Sequence, residues 1–584
     1  MSKARSFKKI TLYNPTPMFL KMKSFCLVVF VVLSISIANA QQTPKPAIIQ
    51  VDLTKKTKEP LKPIWAFFGY DEPNYTYMKD GKKLLSELAA LSPIPVFVRA
   101  HHLLVTGEGV NSLKWGSTNA YTEDANGKPI YYWKIVDSIF DTYIQRGMKP
   151  LAQFGFMPEA LSIKPESDSF QTTPTKEKVY HYTGWNYPPK DYNKWAELVY
   201  QWVKHSVERY GKKEVESWYW ELWNEPDISY WKGTMEEYIK LYDYTADAAK
   251  RALPTIRIGG PETTNPGSEK AGNFLKAFLE HVVNGKNYVT GKKGSPLDFI
   301  TFHAKGQPRV INDTVWMNVG VQLRHIDRGF QIVSSFPALK NLPIIIGESD
   351  PEGCAACPAD IYPNNGYRNG TLYSSYTAAS FARKYDLAKD RGVNLLGAVT
   401  WAFEFENQPW FRGFRDLATN GVDKPVLNVF RMFGQMQGNR VPVVSNSVHN
   451  YLSVRDSSVR GSEADINGIA TTSDRSASVM VWNYHDKNDL NVPATPVTVS
   501  VKGIPSQMAL LTHYRIDQEH SNSYTTWLKM GSPKTPSAEQ IAEIEKAGQL
   551  QMLGSPQWIK TKDGVATIPF NLPRQGVSLI KVNW

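Results

Sequence analysis

Between residues 64 and 437, short apolar runs alternate with stretches whose apolar residues recur every three to four positions. The runs at 64–68, 94–100, 149–155, 217–223, 256–260, 297–303, 343–347 and 395–401 read as strands. The stretches near 78–91, 131–147, 191–210, 235–253, 271–285, 318–338 and 371–391 read as helices, with a last one near 425–437. In 191–210, Trp195, Leu198, Val199, Trp202, Val203 and Val207 share one helical face, and Gly211 follows as a stop. Eight β-then-α units predict an α/β fold, a (β/α)8 TIM barrel over 64–437. A doubly wound open sheet is the rival, but no Gly-rich phosphate loop follows any strand.

Past residue 438 the pattern changes. Short alternating or apolar runs at 479–482, 497–501, 566–570 and 577–582 are separated by Gly, Pro, Asn and Asp. They predict a C-terminal β-sandwich over 438–584, interrupted by one helix near 537–553. Residues 41–63 fall outside the barrel count and are free to lend this sandwich a strand. No internal repeat or low-complexity tract is present.

With 42% hydrophobic and 21% charged residues in 584, the composition is globular and excludes collagen-like, coiled-coil and largely disordered classes. Its 17 Trp, 29 Tyr and 25 Phe exceed what a fold needs, so some are candidates to line a groove. Six charges of the formal +12 come from Lys3, Arg5, Lys8, Lys9, Lys21 and Lys23, which leaves +6 without long basic runs. A nucleic-acid footprint would be clustered, so no nucleic-acid partner is expected.

The basic residues Lys21 and Lys23, the apolar run 25–33 and Ala38-Asn39-Ala40 form a secretory signal over 1–40. The expectation is cleavage after Ala40 and a periplasmic or extracellular protein without a membrane span. Met22 is an alternative start. Cys354 and Cys357 are the only cysteines beyond that segment. One CxxC cannot complete a four-cysteine zinc site, and in an oxidising compartment a local disulfide is favoured over free thiols. No metal and no cofactor is expected.

Reactive groups in a barrel sit just past the C-terminal ends of its strands. There the fourth strand gives Trp223-Asn224-Glu225-Pro226 and the seventh gives Gly347-Glu348-Ser349-Asp350. Two carboxylates facing each other across a barrel mouth suit glycoside hydrolysis, one protonating the leaving oxygen while the other attacks the anomeric carbon. Each glutamate alone reads equally well as a solvated loop acid.

Trp223-Asn-Glu-Pro226 and a Glu ending the seventh strand resemble the large clan of retaining (β/α)8 glycosidases. Four segments together resemble glycoside hydrolase family 39, which holds β-xylosidases and α-L-iduronidase. They are Phe97-Val-Arg-Ala-His-His-Leu-Leu104, Gln153-Phe-Gly-Phe-Met-Pro158, Glu221-Leu-Trp-Asn-Glu-Pro-Asp227 and Leu297-Asp-Phe-Ile-Thr-Phe-His303. The resemblance implies a retaining, exo-acting hydrolase of oligo- or polysaccharides, with no obligatory protein partner. It makes Glu225 the acid/base, Glu348 the nucleophile, and Arg99, His101, Asn224 and His303 sugar-contacting or supporting residues. In that role Glu225 needs a raised pKa, and Arg99 near Glu348 would keep the nucleophile ionised. Trp401, ending the eighth strand, suits a platform under the sugar.

Two departures bear on the sugar. Family β-xylosidases usually carry Tyr two residues after the His ending the sixth strand, where this chain has His303-Ala-Lys305-Gly306. The segment after Glu348, with its cysteine pair, also lacks the xylosidase pattern. His-x-Lys-Gly and Arg415 resemble α-L-iduronidase, in which such cations meet the substrate carboxylate. A salt bridge from Lys305 or Arg415 to Asp350, Glu404, Glu406 or Asp416 accounts for them equally well.

Overall fold

Eight parallel strand segments turn apolar side chains both inward and outward, and the helices that follow them cover the outer face. The computed structural model describes residues 44–584 apart from 114, 168, 172–179 and 402. The export signal expected over 1–40 lies outside the described residues. No helix among the described residues is long and apolar enough to cross a membrane.

In chain order the barrel strands are Phe67–Tyr70, Phe97–Ala100, Lys149–Phe154, Tyr219–Leu222, Ile258–Thr263, Phe299–Phe302 and Pro343–Ile346. The eighth is broken into Asn394–Ala398 and Thr400–Trp401. Its first piece pairs with the seventh strand and its second with the first strand, so the break closes the barrel. The helices fall where the periodicity places them. Tyr192–Tyr210 is capped by Asp191, buries Trp195, Leu198, Val199, Trp202 and Val203, and ends at Gly211 with φ +86°. A glycine carries that left-handed turn without a Cβ clash.

Two antiparallel-rich sheets form the C-terminal sandwich. One has the order Val443–Ser445, Ala47–Asp52, Thr495–Lys502, Val565–Leu572. The other is built around Asp465–Thr472, Ser476–Tyr484, Val577–Asn583 and Met508–Ile516. Ala47, Ile49 and Val51 alternate inward and meet Val497, Val499, Val501, Val479 and Val481 in the sandwich core. The segment before the barrel thus runs parallel to Thr495–Lys502 as a sheet strand.

Helix Thr371–Arg391 is buried on nearly every face because it packs between the barrel and the sandwich. Its Arg383 donates to Asp465 at 2.6 Å, with side chains 3% and 0% exposed. Asp465 also accepts from the Trp482 indole and the His449 amide, each at 3.0 Å. Asp465→Ala leaves a buried guanidinium without its counter-charge, and urea unfolding should show a loss of about 3–5 kcal/mol. Breaking the exposed Lys204–Glu208 pair should leave the unfolding midpoint unchanged.

Candidate active site

Alternate residues of a barrel strand point inward, and the inward set changes character along the strands. Phe67, Leu151, Tyr219, Phe299, Ile345 and Val399 pack together as an apolar plug, with Phe97 against them. Two residues further along the same strands stand Gly69, Arg99, Gln153, Glu221, Thr301, Gly347 and Trp401. Two glycines make this polar layer possible. A Cβ at Gly69 would lie 2.5 Å from the Trp401 ring, and one at Gly347 would lie 2.2 Å from the Glu262 carboxylate.

Arg99 is fully buried and spreads its guanidinium over the whole layer. Nε contacts Glu221 Oε1 at 2.5 Å, Nη2 lies 3.6 Å from Glu262 Oε2, and Nη1 lies 3.6 Å from Glu348 Oε1. It also donates to Asn224 Oδ1 at 3.2 Å and to His101 Nε2 at 2.7 Å. Since Nε2 accepts from Arg99, His101 carries its proton on Nδ1 and donates it to Asp71 at 2.7 Å. Burial, followed by the Arg99 charge, holds His101 well below the usual imidazole range, so it is neutral.

The two expected carboxylates meet above this layer. One carboxylate oxygen of Glu225, one of Glu348 and a ring nitrogen of His303 all lie within 4.8 Å of one another. Glu225 has a left-handed backbone, φ +48°, and its amide donates to the Glu262 carbonyl at 2.8 Å, which pins it to the fifth strand. Lys305 Nζ sits 2.6 Å from Glu225 Oε1 and 2.6 Å from Glu348 Oε2. His303 Nδ1 donates to the same Glu225 oxygen at 2.9 Å.

This geometry reverses the expected charge state of Glu225. Burial alone would raise its pKa, but Lys305 and His303 outweigh burial and hold the carboxyl well below the usual range. The free site therefore holds Glu225 ionised. Lys305 is not paired with Asp350, Glu404, Glu406 or Asp416 in the ion pairs of the described residues; its partners are the two glutamates.

Two residues read as substrate-facing are elsewhere. Trp401 is 1% exposed and offers no open face. Its ring fills the space above Gly69, 5.1 Å from the Arg99 guanidinium and 4.3 Å from the His101 ring. Arg415 is fully buried behind the loop that follows Glu348. It meets Asp350 at 3.3 Å and Glu352 at 3.4 Å, and contacts the carbonyls of Glu352 and Gly353. Cys354 and Cys357 form a disulfide in that loop, with Cα atoms 5.5 Å apart. The carbonyls of Cys354, Ala355 and Cys357 all accept from Arg368.

Asp71, Glu221 and Glu262 were not singled out from the sequence. Glu221 lay inside a quoted segment on the inward parity of its strand, a signal that was available. As for a metal, Lys305 already stands as the cation between Glu225 and Glu348. In the Asp71–His101–His102 group, His101 uses both nitrogens, and the His102 ring packs 4.0 Å from Trp115 and 5.3 Å from Phe156.

The model of glycosyl hydrolases family 39 matches residues 48–557 of the chain. A β-xylosidase of Caldicellulosiruptor saccharolyticus is 30% identical over 431 residues, covering 71% of this chain and 76% of that one. An α-L-iduronidase of Mus musculus is 24% identical over 371 residues, covering 60% and 56%. The crystal structure of a monomeric β-xylosidase from Caulobacter crescentus CB15 shares the fold, with a TM-score of 0.70 and 20% identity over 92% of this chain and 99% of that one.

Glu225 in its lowered state stabilises the fold above its unfolded pKa, and that contribution is lost as pH falls through the folded value. Removing its main cationic partner should follow the same sign. Lys305→Met is expected to be less stable than the parent at pH 7, by about 3–5 kcal/mol in urea unfolding. The gap should narrow below about pH 4, where the unfolded glutamates are themselves protonated. A gap independent of pH would contradict the charge assignment.

Proposed function

The chain belongs to glycosyl hydrolase family 39, and from that premise we propose a retaining, exo-acting hydrolase of O-glycosidic bonds, β-xylosidase-like in its sugar. Glu348 is the nucleophile and Glu225 the acid/base. The observation that supports the mechanism is the approach of the two glutamates, one carboxylate oxygen of each lying within 4.8 Å of the other. Retaining sites hold their carboxyl groups about 5–5.5 Å apart, whereas inverting sites leave about 6.5–9.5 Å for a water.

The cations Arg99, His303 and Lys305 around Glu348 support its reading as the carboxylate that attacks the anomeric carbon. Glu225 protonates the leaving oxygen, then takes a proton from the water that releases the sugar. For that, Lys305 has to turn from Glu225 to the sugar. The export signal expected over 1–40 from the sequence supports action outside the cytoplasm on plant or host glycans.

A second reading rests on Lys305. Its side chain is 12% exposed at the carboxylate pair, where a neutral pentoside offers no charge and a uronate does. The family also contains the α-L-iduronidase named above. Arg415, the other cation of that reading, is already engaged by Asp350 and Glu352. Because Lys305 touches both glutamates, replacing it disturbs every substrate, so the wild-type protein is the proper discriminator.

Turnover of aryl β-D-xyloside is expected, with aryl α-L-iduronide hydrolysed poorly. The opposite preference would transfer the conclusion to the uronate reading. NMR of the first-formed sugar should show retained configuration, and an inverted product would overturn the roles. Glu348→Gln should abolish turnover. Glu225→Ala should keep activity on a dinitrophenyl glycoside, whose leaving group needs no protonation, and lose about 10²–10⁴-fold on a poor leaving group.

A further inference from the structure

Beneath the two glutamates lie two further carboxyls with no role in the double displacement. Glu221 and Glu262 are fully buried, on the fourth and fifth strands. Burial, with Glu262 beside it, raises Glu221 well above the usual carboxylate range, while Arg99 and His303 outweigh burial at Glu262 and hold it low. Glu221 Oε2 and both oxygens of Glu262 accept no hydrogen bond among the described residues. Neighbouring buried carboxyls disfavour a second negative charge, so one of the two is expected to hold a proton. On the far side Glu262 Oε2 lies 2.7 Å from His303 Nε2, and His303 Nδ1 donates to Glu225 at 2.9 Å. The contacts thus run Glu221, Glu262, His303, Glu225, from the barrel interior to the reacting oxygen.

We propose that His303, held by the buried Glu221–Glu262 carboxyl pair, supplies the proton that turns Glu225 from carboxylate into acid. The proposal rests on Glu225 being the acid/base. Burial pulls the His303 imidazole down, but Glu348 and Glu262 outweigh it and lift its pKa to about 9, so the free site stores a proton there. The groups facing His303 are Glu262 and Glu348 on the two neighbouring strands, Glu225 past the fourth strand, Lys305 on its own segment and His101 across the barrel, with Arg99 behind Glu262.

The charge of Glu348 governs the transfer. Its Oε1 lies 3.7 Å from His303 Nδ1. As Glu348 forms its ester, that negative charge disappears and the imidazolium loses a main stabiliser. The Nδ1–H bond breaks, an Oε1–H bond forms on Glu225, and Glu225 passes a proton to the leaving oxygen. Neutral His303 and ionised Glu225 remain, the pair needed when Glu225 acts as base. Water then gives its proton to Glu225, the sugar leaves, Glu348 regains its charge, and the proton returns to His303. Glu262 and Glu221 are positioning residues in this cycle.

The test uses the full chain labelled with 15N-histidine, the His303 signal being assigned by its loss in His303→Gln. In the free protein at pH 7 the imidazole nitrogens should show the charged form. In the glycosyl-enzyme trapped with an aryl 2-deoxy-2-fluoroglycoside of the sugar it turns over, they should show the neutral form. A neutral His303 in the free protein, or a charged one in both states, overturns the proposal. Glu262→Gln should move the basic limb of kcat/KM for a poor leaving group down by about 1–3 pH units. A dinitrophenyl glycoside should be far less affected. Equal losses on both substrates with an unmoved limb would make Glu262 merely structural and also overturn it. Azide rescue of Glu225→Ala separates the two levels: without rescue the acid/base assignment itself fails, and the relay with it.

Discussion

A single guanidinium at the centre of the barrel makes the site possible. Buried carboxylates are tolerated only with a fixed counter-charge and satisfied hydrogen bonds. Arg99 touches Glu221, Glu262, Glu348, Asn224 and His101 from four different strand ends or strands. Its planar fork allows what a lysine could not, because several acceptors are fixed in one geometry at once. The Trp401 ring beside it and the apolar plug below keep water from that layer. Arg99 thus supports Glu348 directly and Glu225 only through its neighbour Asn224 and through Glu262, whose carbonyl accepts from the Glu225 amide.

Around Arg99 the charges balance. Burial, with Glu262 beside it, raises Glu221 well above the carboxylate range, so it is neutral. Glu262 is held near 2 because Arg99 and His303 outweigh its burial. Three carboxylates, Glu225, Glu262 and Glu348, then face three cations, Arg99, Lys305 and His303. Within such a cluster the cost of moving a proton between His303 and Glu225 is set by the nearby charges, above all that of Glu348. Burial alone would suggest an acid with a raised pKa. The neighbours decide otherwise, and the proton is stored one residue away.

The barrel and the meeting of Glu225 and Glu348 at its mouth were legible because periodicity survives averaging. Apolar runs mark strands whatever their partners, and strand ends mark the mouth. The site beneath was less legible for a local reason. The fifth strand reads as ending at Gly260, since Gly-Gly-Pro looks like a turn, yet it continues to Thr263. Gly259 is needed because the Phe299 ring would lie 2.5 Å from its Cβ, so the glycine reports packing and not a turn. Glu262 was thereby hidden in an apparent loop. Trp401 misled in the opposite way: its place at a strand end suggested an open platform, but Gly69 on the neighbouring strand leaves a space that its ring fills. Lone positions reveal residue chemistry, whereas burial depends on a partner strand far away in sequence.

The loop after Glu348 extends the same logic to the rear of the site. Asp350 accepts from the Trp401 amide at 2.9 Å and pairs with Arg415, while Arg368 gathers the carbonyls around the Cys354–Cys357 disulfide. Burial lifts Asp350 to about 7 even with Arg415 beside it. A cation so thoroughly engaged contributes rigidity, not sugar recognition, since freeing it would strand a buried acid. Of the two cations first considered, only Lys305 stands at the pair of mouth glutamates. Lys305 is shared between the reacting glutamates, so any sugar that draws it away also releases Glu225 from its strongest cationic neighbour.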